Sequence, residues 1–125
     1  MNANAARKYT TEDVDLIAEY RYAQARSSFA SYRKLIHPGI QWGWFLQEVA
    51  DEFQKFYEDL IAGKRPKLAL MTPPQHGKSY TVEDFISWVA GKNPDLKLIF
   101  ASYSDDLGIR ANTGVQRTIG SDFYR

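Results

Sequence analysis

Lys67-Leu68-Ala69-Leu70-Met71-Thr72-Pro73-Pro74-Gln75-His76-Gly77-Lys78-Ser79 is the stretch on which the fold reading turns. Its first half, Lys67 to Thr72, is a short, nearly continuous apolar run, which predicts a strand buried on both faces. Its second half, Pro73 to Gly77, is a loop, because two prolines and a glycine interrupt any regular ladder. Beyond it, Val82, Phe85, Ile86 and Val89 recur at helical spacing and predict a helix over 79–90, ended by Gly91-Lys92-Asn93-Pro94. Leu96 to Ala101 then supplies a second apolar strand. Strand, helix and strand make a βαβ unit, with parallel strands and a right-handed crossover. A last helix is expected from near Ser104, with Asp105 and Asp106 in its first turn, to about Thr118.

Upstream of that unit the pattern is helical. Thr10, Thr11, Glu12 and Asp13 carry the oxygens that satisfy the free N–H groups of a first turn, so a helix is expected from there to about Arg26. Ser27 and Ser28 mark a break or a second cap. Phe29, Tyr32, Leu35 and Ile36 continue at helical spacing until His37-Pro38-Gly39 ends the run. From Trp44 to Ala62, Phe45, Val49, Phe53, Phe56 and Leu60 fall on one face of a helix, and Gly63 is placed to close it. The expected fold is therefore α/β: a phosphate-loop βαβ unit preceded by an N-terminal helical segment. Residues 1–43 form that segment, and 44–125 begin the nucleotide-binding domain. Two strands are fewer than a parallel sheet covered by helices needs, so the sheet is expected to be incomplete and the chain to be the N-terminal part of a larger protein.

Composition narrows the chemistry. The 125 residues include 16 Lys+Arg and 15 Asp+Glu, a net charge of +1. The balance is even along the chain, so electrostatics give no signature of nucleic-acid binding. The absence of cysteine removes disulfides, thiolate metal sites and a cysteine nucleophile. No stretch approaches the ~20 apolar residues of a membrane span, and the N-terminus lacks the apolar core of a secretory signal. A cytoplasmic protein with no membrane partner is expected.

The residues that carry chemistry are Gln75, His76, Gly77, Lys78, Ser79 and Tyr80. A loop between a strand and a helix N-terminus lets free backbone N–H groups converge on phosphate oxygens, with the helix dipole behind them. Gly77 permits close approach, the Lys78 ammonium can reach the β- and γ-phosphates, and the Ser79 hydroxyl is a Mg²⁺ ligand. The pattern G-x-x-x-x-G-K-[ST] wants glycine at position 72, where this chain has Thr72. The plainer reading is a surface turn capping a helix. Asp105 and Asp106 follow the apolar run too late for the metal-binding acids of such a site, and read as first-turn carboxylates. Trp42, Trp44 and Phe45 suit either core packing or stacking on a base, and Gln41 or Gln47 could read an adenine edge.

Leu68 to Ser79, followed by Leu98-Ile99-Phe100-Ala101-Ser102-Tyr103-Ser104 and a helix, resembles the start of the ATPase domain of phage terminase large subunits, the motors that package viral DNA. Many relatives carry P-P-R-H-G-K-S, one residue from the loop here. The resemblance runs from about residue 27 to 125. It implies that Gly77, Lys78 and Ser79 bind ATP·Mg²⁺, with Lys78 catalytic, and that the helix at Trp44-Phe45 helps form the adenine pocket. It further implies double-stranded viral DNA, a terminase small subunit and a portal as partners, in the cytoplasm of a bacterial host. Gln75 stands where relatives often have arginine. The family's Walker B acids and its nuclease domain fall outside these residues, which leaves enzymatic competence open. The alternatives are a truncated or remnant non-enzymatic module that binds nucleotide weakly or only mediates interactions, and, less well matched, a small nucleotide kinase.

Overall fold

The computed structural model describes residues 10–72, 78–102, 104–121 and 124. The described residues form five helices: α1 (Thr11–Ser27), α2 (Phe29–Ile36), α3 (Trp44–Ile61), α4 (Lys78–Lys92) and α5 (Asp105–Ile119). Local chemistry accounts for their limits. Thr10 opens α1 with a capping box, its hydroxyl accepting from Asp13 N–H at 3.2 Å while its own N–H donates to Asp13 Oδ2 at 3.0 Å. Ser28 ends α1 and caps α2, accepting from Ser31 N–H at 3.3 Å. After α3, Gly63 adopts φ +82°, which favours glycine and turns the chain out of the helix.

Helix α2 is the hub, packing on α1, α3 and α4, while α5 lies against α4. The core is aromatic. Phe29, with no exposed surface, sits 5.8 Å from Phe53, 5.4 Å from Phe85 and 5.5 Å from Trp88, ring centre to ring centre. Phe53 and Phe85 are 4.8 Å apart, and Tyr57 meets Trp88 edge-on at 5.0 Å. Such tilted and edge-on pairs add to what burial alone contributes. Gln54 fastens the α1–α2 junction to α3, its side-chain oxygen accepting from Phe29 N–H at 2.8 Å and its nitrogen donating to Ser27 O at 3.3 Å.

The expected α/β architecture is not what forms. The protein is all-helical, 68% helix with no strand among the described residues, so the βαβ unit is corrected to a helix flanked by two unpaired segments. The reason is that a strand is defined by its neighbour. The runs 67–72 and 96–101 flank α4 in sequence and line one cleft, yet no described backbone bond joins one to the other. Nor are they buried on both faces: Met71 is 90% exposed and Ile99 93%, whereas Leu70 and Leu96 reach the core. Each run thus rests one apolar residue, Leu70 or Leu96, against the helices and leaves most of the others exposed, without making a sheet.

Candidate functional site

Of the residues singled out in the sequence, Gln75, His76 and Gly77 lie outside the described residues. The backbones of Lys78 and Ser79 form the first turn of α4, so the Gly-Lys-Ser tripeptide does run into a helix N-terminus. Tyr80 follows, exposed, on the same turn. Thr72, where the phosphate-loop pattern wants glycine, has a buried hydroxyl oxygen with no hydrogen-bond partner among the described residues.

Beside this turn lies a cavity of about 610 Å³. Its walls are the end of α2 and the following turn (Ile36, His37, Pro38, Gly39 and Ile40), with Leu46 from α3 and Tyr80 from α4. Arg33 completes it. The turn exists because Pro38 cannot continue α2, and Ile40 N–H closes it on His37 O at 3.0 Å.

Behind the cavity sits a polar cluster that the sequence reading missed. Arg33 and Asp84 are 2% and 3% exposed, and Arg33 Nε donates to Asp84 Oδ2 at 3.0 Å. His37 Nε2 lies 2.9 Å from the same oxygen. The guanidinium Nη1 is buried and has no partner among the described residues. One turn further along α4, Ser87 donates to Asp84 O at 2.8 Å, so Tyr32 Oη, 2.7 Å away, donates to Ser87 Oγ. Burial, offset by that bond to Ser87 and reinforced by the charge of Asp84 and by Tyr124, pushes the Tyr32 phenol up to about 12. Tyr124 donates to Ser87 O at 2.8 Å. A signal was present in the sequence: Thr81, Asp84 and Ser87 recur every third residue on the side of α4 that carries Trp88.

The aromatic candidates separate. Trp42 is half-buried, donates from Nε1 to Gln47 Oε1 at 2.8 Å and carries Lys34 Nζ 4.8 Å over its ring. Trp44 is 78% exposed and does not line the cavity. Gln47 is engaged at both ends, its nitrogen donating to Asp51 at 2.9 Å, whereas Gln41 is exposed and makes no side-chain hydrogen bond to described residues.

A second, larger cleft of about 1120 Å³ is lined by both extended segments, through Leu68, Leu70, Ile99 and Phe100, and by α3, α4 and α5. Glu83 and Arg117 stand in its wall. Burial, with Asp84's charge, raises the Glu83 carboxyl above the usual range, and Arg117 partly offsets this.

No group of three His, Asp or Glu side chains among the described residues could hold a metal ion. No described helix is long and apolar enough to cross a membrane. Comparison with protein-family models, with curated proteins and with solved structures finds no match.

Proposed function

We propose that this chain is the ATP-binding, N-terminal portion of a phage terminase large subunit, whose ATP hydrolysis powers the packaging of double-stranded viral DNA. The observation that carries the reading is the placement of Lys78 and Ser79 at the start of α4, on the turn that also walls an apolar cavity. A nucleotide needs this pairing: an apolar slot for the base beside backbone N–H groups and an ammonium for the phosphates. The Lys78 charge neutralises the β- and γ-phosphates and Ser79 offers its hydroxyl to Mg²⁺, which polarises those phosphates when bound. Gln41, on the loop leading into α3, is the available amide for the adenine edge, since Gln47 is already engaged.

Supporting measurements are affinities for ATP·Mg²⁺ of the native chain and of Lys78→Ala. Loss of one charge-assisted contact weakens binding by at least about tenfold. Equal affinities would remove the phosphate-loop assignment. The exposed apolar residues of the larger cleft favour a second reading, a module that mediates interactions without hydrolysis. Native chain that fails to bind ATP at millimolar concentration would leave that reading standing.

A further inference from the structure

Helix α1 runs for 17 residues, yet Ala25, near its end, is the one residue of it that is buried. A helix in water is held chiefly by packing an apolar face. The outer side of α1 carries such a face: Leu16, Ile17 and Tyr20 are exposed and fall at spacings of one, three and four. The larger cleft, in turn, is an apolar surface that no described residue covers. Leu68, Ile99, Phe100 and Leu107 line it and are exposed. One chain thus carries a helix face without a groove and a groove without a helix.

We infer that α1 of a second copy of this chain docks along the larger cleft, its face of Leu16, Ile17 and Tyr20 seated on Leu68, Ile99, Phe100 and Leu107. Charge selects this occupant. Between Thr11 and Tyr20 stand four acids, Glu12, Asp13, Asp15 and Glu19, and no base. The cleft lining holds two arginines, Arg110 and Arg117, against one acid, Glu83. Spacing agrees with charge. Glu12 and Glu19 flank Leu16 at four and three residues, so two carboxylates run along the edge of the apolar face, two turns apart. Arg110 and Arg117 are also seven residues apart on α5, which gives both rows a separation of about 10.5 Å. None of these four side chains is ion-paired to a described residue. Helix face and cleft are different surfaces of the chain, so the contact is head-to-tail and extends into a ring or filament unless two copies exchange helices. The inference stands apart from the nucleotide reading, which Lys78→Ala tests separately.

The test is sedimentation of the native 125-residue chain from about 1 μM to about 1 mM, where association that grows with concentration is expected. Two charge reversals follow, Glu12→Arg with Glu19→Arg and, separately, Arg110→Glu with Arg117→Glu. Each sets like charges along the contact and is expected to weaken association at least about tenfold. Mixing the two variants in equal amounts makes every helix face a cleft of opposite charge, so the mixture is expected to associate as the native chain does. A native chain still monomeric at about 1 mM overturns the inference and leaves the cleft to another partner. Native association that neither reversal changes, or a mixture that stays apart, overturns it as well. All four positions are exposed, so the reversals are expected to fold. Should one lack a cooperative melt, Leu16→Asp in the native background replaces it, and unchanged association there refutes the docking.

Discussion

Replacing Asp84 by Asn removes a charge and almost no volume, so its cost measures how much the buried ion pair matters. Asp84 Oδ2 accepts from Arg33 Nε at 3.0 Å and lies 2.9 Å from His37 Nε2, and the Arg33 and Asp84 side chains are only 2% and 4% exposed. Neither can turn to water when its partner is lost. With Nη1 already unpaired, an uncompensated guanidinium would be left in the core. Breaking a buried pair from one side costs about 3–5 kcal/mol. A domain of this size has roughly 5–15 kcal/mol in total, so the variant loses a large fraction of its stability. Exchanging both partners for apolar residues, Arg33→Met with Asp84→Leu, is expected to lie within about 2 kcal/mol of the native chain, since the desolvation cost disappears together with the attraction. Urea unfolding of the two single variants and the double variant gives the coupling energy, with unchanged m-values as the check that the folded state stays compact. An Asp84→Asn loss under about 1 kcal/mol, or a double variant as unstable as the sum of the singles, would show that the pair is solvated.

Two further outcomes follow from the titrating groups. Tyr32 holds its proton to about pH 12 in the folded chain but ionises near pH 10 when unfolded, so the stability it contributes is complete below pH 10 and is lost as pH rises from about 10 to 12. Tyr32→Phe should flatten that fall in the melting temperature at a constant cost of about 1 kcal/mol for the lost bond to Ser87; an equally steep fall in the variant would point to another group. Glu83 has its carboxyl raised, so above the ordinary carboxylate range its charge opposes folding, and the penalty fades as pH falls and the proton is taken up. Glu83→Gln should therefore be more stable than the native chain at neutral pH, by up to about 0.5 kcal/mol, and indistinguishable near pH 3 by thermal melting. A destabilised variant at neutral pH would mean that the attraction of the Arg117 charge outweighs burial.

What the sequence revealed and what it hid divide along one line, the distance over which an interaction acts. Thr10 with Asp13, Ser28 with Ser31, and Gly63 act within three or four residues, and each helix limit they govern was legible to within a residue or two. The apolar face of α3 was found but misaligned. Val49, Ala50, Phe53 and Tyr57 are buried, while Phe56 is half-buried and Leu60 exposed, because the facing aromatics of α2 and α4 select the face. Strand formation depends on a neighbour that no apolar run specifies, and there the expectation failed. Arg33 and Asp84 are 51 residues apart, and nothing local in either helix announces the other.

That pairing also changes what positions helix α4. In a sheet-centred nucleotide site, the strand before the loop fixes the helix that follows it. Here residues 67–72 pair with no described strand, and α4 is held by α2 instead, through Phe29 on Phe85 and Trp88, Tyr32 on Ser87, and Arg33 on Asp84. The rings supply burial without fixing a rotation, since an aromatic contact tolerates sliding. Hydrogen bonds at 2.7 and 3.0 Å do not. The two polar contacts lie three residues apart on α4 and one residue apart on α2, so together they set both the rotation and the height of α4 relative to the cavity. The residues that orient Lys78 and Ser79 are thus on α2, 45 or more positions earlier in the chain.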